Sequence, residues 1–261
     1  MPGRFRSKNP NLQQIPRSAT IRGLFTAPEG RSLVIADFTQ MELVIAAVIA
    51  GEEVMLDAFR HGVDVHKLTA SLVTGTALDS VDKDQRRLAK AVNFGLLYGQ
   101  GVLGFQRYAK DKYGIELSTA EAEDLRNRFF EAYPALVAWH QRAKEVANGS
   151  ATEVRTALGR VQYVELGEWW RRFTALLNHP VQGGGADVTK RVMVALADRL
   201  KGKARIVNVV HDEFILETED ANAEYVKKVV AETMVEMTRE IYPGAPMAAE
   251  IGVGKSWADK H

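Results

Sequence analysis

Residues 204–218 read A-R-I-V-N-V-V-H-D-E-F-I-L-E-T and predict a central hairpin. An apolar run lies on each side of three polar residues, His211, Asp212 and Glu213. This pattern is typical of two strands that are joined by a turn. Two adjacent carboxylates at the tip of a buried hairpin are costly to desolvate unless a cation or water meets them. The turn is therefore a candidate metal platform, and a polar turn that contacts only water is the alternative.

A further carboxylate follows a second apolar strand. Residues 32–37 read S-L-V-I-A-D, so Asp37 ends an apolar run at a strand terminus. From Gln40 the apolar residues recur with a helical period. Upstream, residues 21–25 predict another strand, separated from residues 32–37 by a Pro-Glu-Gly turn.

Composition limits the class of protein. A chain of 261 residues with 46% hydrophobic residues can bury a substantial core, as one large domain or as two lobes. The formal net charge is +1, yet residues 1–31 hold six Arg or Lys against one acid, which is a local basic strip. Without cysteine, catalysis must use oxygen and nitrogen groups, and an intracellular, cytoplasmic compartment fits. The longest apolar run, residues 43–50, is far short of a membrane span, so we expect no membrane partner.

One predicted helix combines cations with aromatic rings. Within residues 80–101, the side chains that recur every four positions are Arg86, Lys90, Phe94 and Tyr98. Each step of four advances only about 40° around a helix, so these side chains form one slowly turning stripe. The stripe suits a ligand with phosphates at one end and a flat ring at the other. An ordinary amphipathic helix with a solvated basic side is the alternative.

The remaining sequence predicts further helices and strands. Helices are expected at residues 65–73, 118–132, 134–147 and 222–242, a hairpin at 153–163, a strand at 247–253, and helices that begin near Trp169 and within 178–191. The last of these begins with N-H-P-V-Q-G-G-G, whose glycines permit a close approach of the backbone to a ligand or nucleic acid. A plain helix N-terminus explains the same residues equally well.

Several motifs, taken in order, resemble those of family A DNA polymerases, the bacterial DNA polymerase I type. The main three are D-F-T-Q-M-E-L at 37–43, R-R-L-A-K-A-V-N-F-G-L-L-Y-G at 86–99 and V-H-D-E at 210–213. Five more align between and around them: G-R-F-R-S-K-N-P-N-L-Q-Q-I-P at 3–16, Y-P at 133–134, L-G-R at 158–160, N-H-P-V-Q-G at 178–183 and G-V-G-K-S-W at 252–257. The resemblance therefore spans essentially the whole chain.

This resemblance implies an α+β fold. A polymerase palm would carry an antiparallel sheet built from the N-terminal strands, the central hairpin and the C-terminal strand, beside a helical fingers subdomain. Residues 1–53 and 136–261 would form the palm, and residues 54–135 the fingers. The family's thumb and 3′→5′ exonuclease domains would lie upstream of Gly3. We therefore expect low processivity and no proofreading, unless a separate chain supplies the thumb or a processivity function.

The resemblance also implies template-directed addition of deoxynucleotides to a primer 3′-hydroxyl. Such phosphoryl transfer uses two Mg²⁺ ions, for which Mn²⁺ can substitute, and hard ions prefer carboxylate oxygens. Similarity to the family assigns metal binding to Asp37, Asp212 and the backbone carbonyl of Phe38. It makes Glu213 an auxiliary acid near the primer end and Lys90 the candidate proton donor to pyrophosphate.

The stripe would bind the incoming deoxynucleoside triphosphate. By resemblance, its cations Arg86 and Lys90 hold the triphosphate, while Phe94 stacks against sugar and base. Tyr98 borders the template-base position. Two residues outside the stripe complete this site: Gln40 contacts the nucleotide, and Glu42 is the steric gate that excludes a 2′-hydroxyl.

Primer-template DNA is the expected macromolecular partner. The residues at the family's minor-groove contact positions are Arg4, Asn178, Gln182 and His211, and the acceptor pattern of that groove is nearly independent of sequence. Two other classes of function are open. One is a catalytically silent nucleic-acid-binding module that retains the fold. The other is a two-metal nuclease, which would use paired carboxylates but has no need for the stripe or for Glu42.

Overall fold

The computed structural model describes residues 3–149, 152–164 and 168–259. It contains two compact units: unit 1 is Met1–Met41 with Gln182–His261, and unit 2 is Glu42–Val181. Helices and antiparallel strands share the chain, which confirms the predicted α+β class. The palm and fingers bounds inferred from the resemblance name parts of the chain by their role, and they stay a prediction.

The strands are β1 (Arg31–Phe38), β2 (Glu153–Arg155), β3 (Val161–Tyr163), β4 (Ala204–Val210), β5 (Glu213–Glu219) and β6 (Ala249–Gly254). The helices are α1 (Ala19–Arg22), α2 (Met41–Ala50), α3 (Glu53–Arg60), α4 (Val65–Thr74), α5 (Lys83–Leu96), α6 (Val102–Tyr113), α7 (Thr119–Ala132), α8 (Pro134–Asn148), α9 (Trp169–Asn178), α10 (Gly184–Arg199) and α11 (Ala223–Ile241). A π-helical turn, His179–Gly183, connects α9 to α10.

Unit 1 is built on a four-stranded sheet with the strand order β4-β5-β1-β6, in which all neighbouring pairs are antiparallel. The strands β4 and β5 form the predicted central hairpin, and His211 and Asp212 are its turn. The strand β1 lies between β5 and β6, and its residues 33–36 are all buried. An apolar run that is buried on both faces is what a central strand requires. The sheet thus holds the ends of β1 and of the hairpin in fixed register.

Residues 21–25 do not form the predicted strand. The helix α1 begins after Ser18, whose hydroxyl accepts a hydrogen bond from the backbone N–H of Ile21. Such a cap satisfies an amide that would otherwise be unpaired, and here it outweighs the β preference of the Ile side chain. Only Thr26, just beyond this segment, makes an isolated bridge, to Ser256.

Two helices cover the sheet of unit 1. Helices α10 and α11 pack on each other, and α11 lies against β1 and β6. The buried residues of α11 include Val226, Val230, Met234 and Met237, whose spacing of three and four defines one apolar face. At the start of α10, a side chain at Gly184 would overlap the hydroxyl of Tyr242. Only glycine permits this close approach.

Unit 2 is mainly helical and carries the small β2–β3 hairpin. Two of its helices start at reciprocal capping boxes: Asp82 with Gln85 begins α5, and Ser118 with Glu121 begins α7. The helices α3 and α6 were not predicted, and α6 lacks such a signal because Gly101 offers no capping side chain. None of the described helices combines the length and the apolar composition that a membrane crossing requires.

Candidate active site

The two predicted metal-binding carboxylates lie at the same end of the neighbouring strands β1 and β5 in unit 1. Asp37, near the end of β1, pairs in register with Glu213, the first residue of β5. Asp212 immediately precedes Glu213 in the hairpin turn. Both Asp37 and Asp212 are partly exposed. The fold therefore brings together two accessible carboxylates that are distant in the sequence.

The other turn residue, His211, is exposed and has a left-handed backbone conformation with φ of 59°. Partial burial and the positive charges of Arg4 and Arg17 lower the pKa of His211, while the carboxylates of Asp37 and Glu213 oppose this shift. The two arginines of the N-terminal strip therefore lie near the turn. Arg4 was predicted to bind DNA, whereas Arg17 was not singled out because its loop has no periodicity.

Glu213 differs from its two neighbouring acids because its side chain is buried. Only 6% of the residue is exposed, and both carboxylate oxygens lie 3.2 Å from Nη1 of Arg22. The indole Nε1 of Trp257 donates a further hydrogen bond of 2.8 Å to Oε1 of Glu213. The carboxylate is thus engaged by two buried partners that the sequence analysis did not find.

Residues 38–40 follow Asp37 and precede α2. Phe38 is buried and lies opposite Ala249 of β6. Gln40 has φ of 52°, and its Oε1 is buried without a hydrogen-bond partner among the described residues. Buried polar atoms are nearly always hydrogen-bonded, so this oxygen is a candidate acceptor for a donor from water or a ligand.

The stripe is present on the solvent side of α5 and its C-terminal end. Lys90 is exposed, and Arg86, Phe94 and Tyr98 are partly exposed. Nε of Arg86 lies 2.6 Å from Oδ2 of Asp64, the capping residue of α4. Burial raises the pKa of Asp64, but the hydrogen bond and charge of Arg86 and two backbone N–H groups outweigh it, and the pKa is lowered.

A buried polar network supports the stripe from behind. The ring of His66 lies 5.7 Å from that of Phe94, and its Nδ1 is 2.9 Å from Nδ2 of Asn93. Asn93 in turn accepts a hydrogen bond of 3.0 Å from Thr69, whose hydroxyl also meets that of Tyr133. Burial lowers the pKa of His66 to about 4, so the ring is neutral at neutral pH. This network was not predicted, because its members come from two helices, α4 and α5, and from the junction between α7 and α8.

Glu42 and Tyr98 contact each other directly. The hydroxyl of Tyr98 donates a hydrogen bond to Oε2 of Glu42. Glu42 lies in the first turn of α2, and Tyr98 follows the end of α5. The two predicted nucleotide-binding residues are therefore joined by a hydrogen bond at the end of the stripe.

The four predicted DNA-binding residues occur in different places. Arg4 and His211 lie near each other in unit 1. Asn178 is the last residue of α9, and Gln182 belongs to the π-helical turn that follows, both partly exposed. Single π-helical turns are frequent at functional sites. None of these positions is fully buried, so all four could meet a ligand.

Unit 2 also contains an aromatic cavity of about 590 Å³ that the sequence analysis did not find. Its lining includes four aromatic rings, two cationic side chains, one histidine and three glycines: Phe130, Trp169, Trp170, Phe173, Arg126, Lys144, His140, Gly99, Gly101 and Gly104. The guanidinium of Arg126 lies over the ring of Phe130, and the ammonium of Lys144 lies over that of Phe173. Flat rings combined with cations favour a nucleobase with its phosphate.

The carboxylates of Asp37 and Asp212, at this end of the strands, fit divalent cations. Among the described residues, no group of three or more His, Asp or Glu side chains is placed to hold a metal. Mg²⁺ usually binds through one or two carboxylates and completes its octahedron with substrate phosphates and water. Two accessible aspartates, Asp37 and Asp212, are the donor set that such a shared site needs.

Comparisons with known proteins agree with the motifs. A sequence model of the family described as DNA polymerase family A matches residues 1–259. The chain is 40% identical over 264 residues to DNA polymerase I of Aquifex aeolicus (strain VF5), a match covering 98% of the chain and 44% of the relative. It is 38% identical over 279 residues to DNA polymerase I of Pseudomonas aeruginosa, covering 99% of the chain and 29% of the relative.

A solved structure agrees as well. The polymerase domain of Pol1 from M. smegmatis, in complex with DNA primer-template and dNTP, matches with a TM-score of 0.88 and 30% sequence identity. The match covers 100% of the chain and 47% of that structure. The chain thus spans less than half the length of each of these relatives.

Proposed function

Because the chain belongs to DNA polymerase family A, we propose that it adds deoxynucleotides to the 3′-hydroxyl of a primer under the direction of a DNA template. The observation that carries this proposal is that Asp37 pairs in register with Glu213, the residue that follows Asp212, so that both aspartates lie at the same end of β1 and the hairpin. The solved relative binds primer-template DNA and a dNTP, and the same ligands are proposed here.

We propose that Asp37, Asp212 and the backbone carbonyl of Phe38 hold two Mg²⁺ ions, for which Mn²⁺ can substitute. Polymerases of this family generally use divalent metals. When bound, the ions lower the pKa of the attacking hydroxyl and neutralise the leaving pyrophosphate. The aspartates themselves contribute negative charge at the end of strands whose register is fixed. Their partial exposure supports this role because substrate oxygens must reach the same ions.

The stripe is proposed to bind the incoming nucleotide. Arg86 and Lys90 pair with the triphosphate, and Lys90, which is exposed, donates a proton to the leaving pyrophosphate. Phe94 stacks against sugar and base, and its orientation is supported by the neutral ring of His66. Gln40, with its unsatisfied amide oxygen, contacts the nucleotide as well.

Glu42 is proposed to exclude ribonucleotides. Its hydrogen bond with Tyr98 fixes the carboxylate at the end of the stripe, where it would meet a 2′-hydroxyl. Tyr98 in turn borders the template-base position. A fixed carboxylate discriminates better than a mobile one because it cannot move aside for the larger sugar.

We propose that Arg4 and His211 contact DNA near the hairpin turn, together with Arg17, whose charge also lowers the pKa of His211. Asn178 and Gln182 contact DNA from the segment around the π-helical turn. The aromatic cavity of unit 2 receives an unpaired template nucleotide. The 261 residues acting alone are proposed to extend primers with low processivity, best at low salt and without proofreading.

A primer-extension assay with Mg²⁺ tests the proposal. The parent chain should lengthen a labelled primer, and Asp212→Ala should reduce the rate by at least about a thousandfold. Asp198→Ala, an exposed position on α10, is the matched control and should extend normally. Shortening of the primer would indicate a nuclease instead. A gel shift without extension or shortening would indicate a silent nucleic-acid-binding module.

A further inference from the structure

Arg22, Glu213 and Trp257 form a buried cluster beneath the hairpin turn in unit 1. Their exposed fractions are 9%, 6% and 2%. Besides the bonds to Glu213, the guanidinium of Arg22 lies 4.3 Å from the centre of the Trp257 ring. The ring of Phe25 meets Trp257 edge-on at 5.6 Å. Arg22, Glu213 and Trp257 are named the Arg22–Glu213–Trp257 cluster.

The cluster fixes the position of a charged group that would otherwise be unstable in the core. A buried carboxylate needs both an opposite charge and hydrogen bonds to its oxygens, because removing one partner leaves an uncompensated charge. Arg22 supplies the charge, and Trp257 supplies a directional N–H donor. The indole is itself held by Leu33, Ile35 and Ile215 in the apolar core. The carboxylate of Glu213 therefore has little freedom to rotate.

The fixed carboxylate belongs to the residue that joins the two proposed metal ligands. Glu213 follows Asp212 in the chain and pairs with Asp37 across the sheet. Because Glu213 is the first residue of β5, its buried side chain anchors the point at which the turn joins the sheet. A released Glu213 would also bring a third negative charge toward Asp37, on the same face of the sheet.

We propose that Arg22 and Trp257 are positioning residues, which act through Glu213 to set the orientation of Asp212. Glu213 is then an anchor of the turn, held by its buried partners, rather than an acid that exchanges protons near the primer end. This inference rests on the proposed polymerase activity for its consequence in catalysis. Its structural part, a turn held rigid by the cluster, can be measured separately.

Two variants test the inference while keeping most of the packing. Trp257→Phe keeps an aromatic ring beside Arg22 but removes the N–H donor, and Arg22→Lys keeps the charge but not the planar guanidinium. In hydrogen exchange, without DNA or nucleotide, the amides of residues 211–213 should exchange at least about tenfold faster in both variants. Amides in the middle of α11 should be unchanged.

Primer extension provides the catalytic measurement. The Mg²⁺ concentration for half-maximal rate should rise about tenfold in both variants, with the KM for the nucleotide changed by less than about twofold. Excess Mg²⁺ should restore most of kcat. Arg199→Lys, which alters an exposed ion pair with Glu236 in the same unit, is the matched control and should resemble the parent.

The outcomes separate the two proposals. A lower Tm with unchanged exchange at residues 211–213 and unchanged Mg²⁺ dependence would overturn the positioning role and leave only packing. If the parent chain itself fails to extend primers, the proposed function falls, while the hydrogen-exchange comparison still decides whether the cluster holds the turn. Faster exchange together with a raised Mg²⁺ requirement supports the inference.

Discussion

Asp37 and Glu213 lie directly opposite each other in β1 and β5. Like charges at such a cross-strand pair destabilise a sheet, and the ion pair of Glu213 with Arg22 offsets part of that repulsion at the end of the strands that carries the proposed metal site. Natural active sites often combine function with such local instability.

The first prediction concerns this pair. Without divalent ions, Asp37→Asn should be at least as stable as the parent chain, because one negative charge is removed from the end of the strands where Asp37, Asp212 and Glu213 lie. It should also lose most of the rise in Tm that Mg²⁺ produces. Thermal denaturation with and without Mg²⁺ measures both effects. A variant that is markedly less stable without Mg²⁺, or that responds to Mg²⁺ as the parent does, would count against the metal assignment.

The second prediction concerns sugar selection. Glu42→Ala should increase incorporation of ribonucleotides relative to deoxynucleotides by about tenfold or more, because the fixed carboxylate no longer meets the 2′-hydroxyl. Tyr98→Phe, which removes only the hydroxyl that donates to Glu42, should have a smaller effect in the same direction. Single-nucleotide kcat/KM values with both sugars measure this. Unaltered selectivity in Glu42→Ala would exclude the steric-gate role.

The third prediction follows from one missing atom. Phe94 has no hydroxyl that could replace the 3′-hydroxyl absent from a dideoxynucleotide, so the parent chain should discriminate strongly against dideoxynucleotides. Phe94→Tyr should reduce this discrimination by about tenfold or more, the value of a hydrogen bond to a charged group. Competition between the two substrates in primer extension measures the ratio. Equal use of both by the parent chain would refute the prediction.

The fourth prediction concerns the aromatic cavity. Trp170→Ala should weaken binding of a duplex with a 5′ single-stranded template overhang by about tenfold, the value of one lost base stack. Binding of a blunt duplex should change little. Tyr163→Ala is a suitable control, since that ring is 78% exposed and does not line the cavity. Equal losses for both DNA forms would show that Trp170 does not contact an unpaired base.

The fifth prediction concerns pH and stability. Burial lowers the pKa of both His66 and His140 to about 4. The unfolded chain takes up these protons below about pH 6.5, whereas the folded chain does so only near pH 4. The free energy of unfolding should therefore fall as the pH drops through this window, by at most about 1.4 kcal/mol per pH unit for each histidine.

Urea denaturation at several values between pH 7 and pH 4.5 measures this slope. His140→Gln should flatten it, although the variant loses the hydrogen bond that Nε2 donates to the carbonyl of Leu97 and is less stable at pH 7. The comparison uses the slope and not the absolute stability. An identical slope in parent and variant would show that His140 ionises equally in both states.

Local signals explain which parts of this fold could be predicted from the sequence. The hairpin of β4 and β5 has two apolar runs around a polar turn, and the stripe repeats every four residues along α5. Both patterns depend on residues that are close in the sequence. The prediction of a strand at residues 21–25 was wrong. A local signal, the helix cap at Ser18, decided the structure there.

Partners that are distant in the sequence could not be predicted. Glu213 is separated from Arg22 by 191 positions and from Trp257 by 44. Its burial depends on both, and neither partner carries a motif that announces the contact. The aromatic cavity likewise combines residues from several helices of unit 2, whose spacing gives no common period. Side chains assembled by tertiary packing leave no signal in a single sequence.

The position of β1 has a consequence for the biogenesis of this protein. Both strands that flank it, β5 and β6, are translated long after it, because unit 2 lies between β1 and β5 in the chain. On the ribosome, β1 therefore waits with two open edges and an apolar surface until the distal segments emerge. Such non-local pairing predicts slow assembly and a need for chaperones during synthesis.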